Sequence, residues 1–134
     1  MKVYISYKLS NMNIFRLRHI LANVDTILKK LGHKTFIFMR DVQNFQPGNL
    51  DPNVIMEHAK LNLRECDAVL ALVQSNEKGE GMLLESGFMK GIGKKLIVAN
   101  APNSRAVLLN ALADYSFDFS DWNEFEDHLK LYLN

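Results

Sequence analysis

The 134 residues are enough for one domain with a buried core, and an apolar share of 48% argues against disorder. Sixteen basic and fifteen acidic residues leave a net charge of +1 with no long basic run, so the footprint of a nucleic-acid-polymer binder is missing, although a small anionic ligand fits. No stretch approaches the roughly 20 apolar residues of a membrane span and the opening MKVYISYK is unlike a signal peptide, so a cytoplasmic protein with no membrane partner is expected.

Residues 3–7 read as a first strand. Ile14, Leu17, Leu21, Val24, Leu28 and Leu31 then recur at three- and four-residue spacing up to Gly32, which predicts a long amphipathic helix with a glycine stop. Residues 35–39 are β-branched and aromatic and read as a second strand. Residues 40–50 contain Pro47 and Gly48 without a helical period, a loop, after which Asp51 and Pro52 supply the cap and first-turn proline of a helix running to about Glu65. Lone Cys66 excludes an internal disulfide and a cysteine zinc cluster and is expected to be buried packing. A strand at 68–73, a helix carrying Glu85, a strand at 96–99, a short helix at 107–112, a strand at 115–119 and a final helix capped by Ser120 or Asp121 complete the series. This alternation predicts a single α/β domain over 1–134: a flavodoxin-like, doubly wound, five-stranded parallel sheet in order 2-1-3-4-5, with helices on both faces and a cleft beyond strands one and three.

Three loops converge on that cleft, at 6–11, 75–81 and 100–105. Gly79 and Gly81 let the backbone approach a ligand, and free amides at the start of the Glu85 helix, helped by Lys8, Ser10 or Arg105, can hold a phosphate. There is no GxxxxGK[ST] and no GxGxxG; the GIGKK of residues 91–95 precedes a strand and reads as a helix-to-strand turn. Glu85 is the first functional candidate, because it lies just past the apolar run DAVLALV, at a predicted helix start. The helix dipole would keep such a carboxylate ionised, and an ionised carboxylate can attack a sugar anomeric carbon to form a glycosyl intermediate. The same dipole also favours acidic residues that do no chemistry.

DAVLALV, Gly81 four residues before Glu85, the Glu85-Ser86-Gly87 triplet and the strand led by Gly93-Lys94-Lys95 together resemble the nucleoside 2-deoxyribosyltransferase family, most closely its 2'-deoxynucleoside 5'-monophosphate N-glycosidase branch. The similarity covers about residues 53–133; the first half matches in layout only. It implies cleavage or transfer at the bond between a base and (deoxy)ribose, with Glu85 as nucleophile, no metal, no cofactor, a nucleoside or nucleoside 5'-monophosphate substrate, and a homodimer. Relatives place a second acid, an aspartate, eight residues before the aspartate that opens strand three. Here that position is Ala59, which falls on an Ile55, Ala59, Leu63 packing line. His58 and Glu57 are the substitute candidates, although each lies about 100° or 200° around the helix from Ala59, and Asp51 is a further one. The first loop also departs from the family's glycine-containing turn: Ser6, Tyr7, Lys8, Ser10 and Asn11 stand there as candidate substrate contacts, and Tyr7 or Tyr4 can stack on a base or simply fill the core edge. Ser104 and Arg105 match a serine-arginine neighbourhood of the glycosidase branch, and Asn110 is the nearest polar residue to a serine that the branch contributes across its dimer interface.

His19, His33 and His128 lack partners at metal-ligand spacing, so surface roles are expected and no metal site. Trp122, Phe125, Leu129 and Tyr132 or Leu133 form a helical stripe for core or dimer packing. Two rival readings remain open: a nucleotide-binding or signalling module with weakened catalysis, which Ala59 motivates, and an NAD-cleaving domain, because VYISYKLSN resembles the opening of TIR domains.

Overall fold

The structure, a computed structural model, describes residues 1–46, 48, 50–77 and 79–133. Pro47 of the predicted 40–50 loop and Lys78 of the predicted 75–81 loop lie outside them. The elements in chain order are β1 (Lys2–Ser6), α1 (Ile14–Lys30), β2 (Lys34–Ile37), α2 (Phe38–Asp41), α3 (Pro52–Glu65), β3 (Ala68–Val73), α4 (Glu80–Gly91), β4 (Lys95–Asn100), α5 (Val107–Leu112), β5 (Tyr115–Asp118) and α6 (Trp122–Tyr132). Among the described residues the five strands form one parallel sheet in the predicted order, β2-β1-β3-β4-β5.

The two faces follow from strand parity. Val3 and Ile5 of β1, with Leu70, Leu72, Ile97 and Phe117, pack against Leu17, Leu21, Val24 and Leu28 of α1 and Phe125 and Leu129 of α6. Each such fully buried leucine or phenylalanine contributes roughly 1.5–3 kcal/mol. Tyr4, Val69, Ala71, Leu96 and Val98 face the other way, onto Ala59 and Leu63 of α3, Met82 and Met89 of α4 and Leu109 of α5. Central β3 is buried along its whole length, as its unbroken apolar run predicts. Cys66 is buried, and that burial pushes its thiol up to about 11.

The predicted punctuation is present. Asn13 caps α1, its side chain accepting from the Arg16 N–H at 3.0 Å, and Asp51 caps α3 through the Asn53 N–H at 2.7 Å. Of the two candidates for α6 it is Asp121 that caps, accepting from the Glu124 N–H at 2.8 Å, while the Ser120 N–H donates back to the Glu124 carboxylate at 3.0 Å. Gly32 and Gly93 both adopt positive φ, 90° and 80°, and close the same paired carbonyl motif at the ends of α1 and α4, with His33 N–H on Leu28 O and Lys94 N–H on Met89 O, both at 2.9 Å. GIGKK is therefore the helix-to-strand turn its sequence predicts.

Three expectations need correction. Strand β2 ends at Ile37, not residue 39, because Phe38–Asp41 winds into one helical turn in which Asp41 accepts from the Ile37 N–H at 2.9 Å. Helix α4 starts at Glu80, so Gly81 lies inside it and Glu85, its sixth residue, is in the second turn and not at the helix start. His33 is buried, its Nδ1 3.1 Å from the N-terminal amine, and His128 stacks on Phe117 at 4.6 Å; of the three histidines only His19 is exposed.

Candidate active site

Strand parity aims Tyr4 and Ser6 of β1 at α4, where both meet Glu85. The Tyr4 hydroxyl donates to Glu85 Oε2 in a short hydrogen bond, and Ser6 Oγ donates to Oε1 at 2.8 Å. Tyr4 is itself buried and fixed by its tilted contact with Phe36, ring centroids 5.0 Å apart. Both carboxylate oxygens are thus held by hydroxyls on one rigid strand, an arrangement that fixes the carboxylate plane before any ligand arrives.

This carboxylate faces a cavity of about 200 Å³ lined by Tyr4, Ile5, Tyr7, Leu9, Phe38, Gln43, Ile55, Met56, Ala59, Gly81 and Glu85. The surroundings are mostly apolar, and burial raises the Glu85 pKa above the ordinary glutamate range, with the Tyr4 and Ser6 hydrogen bonds pulling the other way. The expectation that the helix dipole sets its ionisation is thereby corrected: in the second turn the dipole has faded, desolvation works against the charge, and two hydroxyls offset part of it. Burial, and then the Glu85 charge, pushes the Tyr4 phenol far up, so it stays protonated as a donor.

The predicted convergence of three loops is realised. Lys8 pairs with Glu77 of the β3–α4 loop, which holds the Glu77 carboxylate below its usual range, and Asn76 of that loop accepts from the Arg105 N–H at 2.9 Å. These contacts border a second cavity, of about 340 Å³, beside the start of α4; its walls include Lys8, Gly79, Met82, Leu83, Arg105 and Leu108. A Cβ at Gly79 would come within 3.3 Å of the flexible Met82 side chain, a tight contact that a small shift of the thioether would relieve.

Of the residues singled out in the sequence, Glu85, Ser6, Tyr7 and Gly81 come together at the first cavity, and Lys8, Gly79 and Arg105 at the second. Others do not join them. Glu57 is exposed on α3 and lines neither cavity; His58 is also exposed and borders a separate groove with Arg40, Asp41 and Asn62. The α3 turn that places Ala59 on the sheet swings both away, as the 100° step requires. Asp51 is engaged as the α3 cap. Ser10 is exposed and lines neither cavity, Asn11 interacts with Glu77, and Ser104 bonds the nearby Pro102 carbonyl at 3.2 Å. Asn110 is committed elsewhere, locked to Asn100 by reciprocal amide bonds of 2.8 and 3.0 Å that tie α5 to the end of β4. Tyr4, read in the sequence as a base-stacking or core-edge residue, is instead the direct partner of Glu85. Its signal was parity, two residues before Ser6 on a strand beside the cleft.

Among the described residues no group of three His, Cys, Asp or Glu side chains is placed to hold a metal ion, and no helix is long and apolar enough to cross a membrane.

No protein-family model matches the sequence, and no curated protein matches it significantly. Solved structures do. A CMP N-glycosidase from Clostridium botulinum superposes with a TM-score of 0.70 at 18% identity, covering 98% of this chain and 99% of that one. A 2-deoxyribosyltransferase from Bacillus psychrosaccharolyticus gives 0.69 at 19% identity, covering 95% and 91%, and a conserved protein from Enterococcus faecalis V583 gives 0.75 at 12%, covering 98% of both chains. The chain has their fold. At these identities the likeness is one of architecture over the full length, including the five-stranded sheet that carries Tyr4, Ser6 and, through α4, Glu85.

Proposed function

We propose that this chain is a nucleoside deoxyribosyltransferase-like enzyme that cleaves or transfers at the N-glycosidic bond of a (deoxy)nucleoside or nucleoside 5'-monophosphate, with Glu85 as nucleophile. The observation that carries this reading is the Glu85 carboxylate, pinned by Tyr4 and Ser6 at the wall of a cavity at the carboxyl end of β1. The fold likeness to a CMP N-glycosidase and a 2-deoxyribosyltransferase supports it.

In this reading a Glu85 oxygen attacks the anomeric carbon, and the C–N electron pair leaves with the base. The glycosyl ester is then opened by water or by an acceptor base, and the ester bond pair returns to Glu85. The two hydroxyls keep an otherwise desolvated carboxylate ionised enough to attack, and no metal or cofactor is needed for any step. Lys8 and Arg105, flanking the start of α4, are suited to a 5'-phosphate.

The protein acts as a homodimer. What supports this is an apolar surface beside the second cavity: Val107 and Leu108 of α5 are 73% and 78% exposed, next to partly exposed Leu83 and Leu84 of α4.

One observation favours a second reading. Ala59 lines the Glu85 cavity, 3% exposed, where relatives of the proposed class carry an aspartate; a nucleotide-binding module would need none. The test for both is chromatographic detection of free base after incubation with nucleosides, nucleoside monophosphates and NAD, with and without an acceptor base. Base release that Glu85→Ala abolishes supports the enzyme, and ligand-induced thermal stabilisation without release supports the binding module.

A further inference from the structure

Breaking an N-glycosidic bond places negative charge on the departing base, and something must stabilise it. The polar side chains lining the Glu85 cavity are Tyr4, Tyr7, Gln43 and Glu85. Tyr4 is committed, its hydroxyl donating to Glu85. Tyr7 is oriented but not spent: its oxygen accepts the Met39 N–H at 2.9 Å, and among the described residues no acceptor takes the hydroxyl's own hydrogen. Its ring packs with the α1-side core, so the phenol is held from one side by apolar contact and from the other by a backbone amide. Gln43 lies in the turn after α2, and among the described residues its side-chain amide has no hydrogen-bond partner. Ala59 on α3 offers nothing polar.

We propose that Tyr7 is the hydrogen-bond donor to the departing base, serving from the β1 loop the purpose an acidic side chain would serve at Ala59. This rests on reading the site as one that cleaves N-glycosyl bonds. Burial raises the Tyr7 pKa well above the usual phenol range and the nearby Glu85 charge adds to it, so the group donates a hydrogen bond and keeps its proton. In the step, the Glu85 Oε–C1' bond forms and the C1'–N bond breaks. Its electron pair is delocalised over the base onto an acceptor beside the glycosidic nitrogen, a pyrimidine carbonyl oxygen or a purine ring nitrogen, which the Tyr7 O–H contacts. The base anion takes its proton from water, and the hydroxide equivalent ends on the sugar when the glycosyl ester is hydrolysed.

The test compares wild type, Tyr7→Phe and Gln43→Leu on two substrates with the same sugar: the nucleoside or nucleotide that wild type cleaves best, and its 4-nitrophenyl glycoside, whose phenolate leaves without help. Tyr7→Phe is expected to lower kcat/KM on the nucleoside roughly 10- to 100-fold, as loss of a transition-state donor does, and on the nitrophenyl glycoside by less than about 3-fold, with the thermal midpoint monitored throughout. Equal losses on both substrates would reduce Tyr7 to a structural role, and no loss on either, or discrimination that follows Gln43→Leu instead, would overturn the proposal while leaving the Glu85 reading intact. A wild type inert towards both substrates would remove the Glu85 reading and the donor role with it.

Discussion

Tyr4 and Glu85 lie 81 positions apart in the chain, and the phenol of one donates directly to the carboxylate of the other. Because this hydrogen bond favours the charged carboxylate against burial, its loss must raise the Glu85 pKa further. Activity that needs ionised Glu85 falls as pH drops through that pKa. Tyr4→Phe is therefore expected to move the acidic limb of the kcat/KM profile to higher pH and to cost roughly 10-fold at neutrality, about 1.4 kcal/mol. A pH–rate profile with an unmoved limb would disconnect Tyr4 from the nucleophile.

Glu85→Gln should abolish turnover and stabilise the fold. The folded pKa is raised above the unfolded one, so the folded state binds the proton more tightly. The ionised residue is then a net cost at neutral pH, and that cost disappears as pH falls through the folded pKa towards the unfolded value. Thermal midpoints should accordingly be higher for Glu85→Gln than for wild type at pH 7, with the gap closing in acid. A variant less stable at both pH values would contradict this.

Lys8 pairs with Glu77 at the cavity beside the start of α4, where the proposed function puts a substrate 5'-phosphate. Lys8→Met is expected to raise KM for a nucleoside 5'-monophosphate roughly 10-fold while leaving the parent nucleoside unchanged, and Glu77→Gln to lower it by freeing the ammonium. Both effects should shrink as salt is added. Equal changes for nucleoside and monophosphate would place the phosphate elsewhere.

If α5 is the dimer surface, Leu108→Lys should yield monomers at micromolar concentration without changing the circular dichroism spectrum. Sedimentation velocity on wild type and variant is the measurement, and a wild type already monomeric would retire the interface.

Asn110 is predicted to be structural. Asn110→Ala leaves the buried Asn100 amide without its reciprocal partner and should cost about 1–3 kcal/mol in urea denaturation, with kcat/KM of the remaining folded protein little altered.

Much of this architecture was legible in the sequence. Apolar runs, glycine stops and Asp51-Pro52 reported local preferences that the tertiary structure keeps, and they gave the sheet order and most helix limits. The misses share a cause in contacts between distant segments. Nothing local says that Phe38–Asp41 will coil instead of extending β2. The burial that raises Glu85, the Lys8–Glu77 pair that joins two loops and the Asn100–Asn110 lock all need the fold before they exist. Glu57 and His58 were candidates because they neighbour Ala59 in the chain; on a helix, immediate neighbours point elsewhere.

The alternation along β1 makes the candidate site a question of odd and even. Val3 and Ile5 serve one core, while Tyr4 and Ser6 serve the carboxylate. A one-residue slip of the whole β1 register would turn both hydroxyls to the α1 side together and present apolar side chains to Glu85. Changes of length are thus confined to the stretch after Tyr7, where the loop can absorb them. Lineages of this protein should accordingly vary in their first loop while counting the residues of their first strand without error.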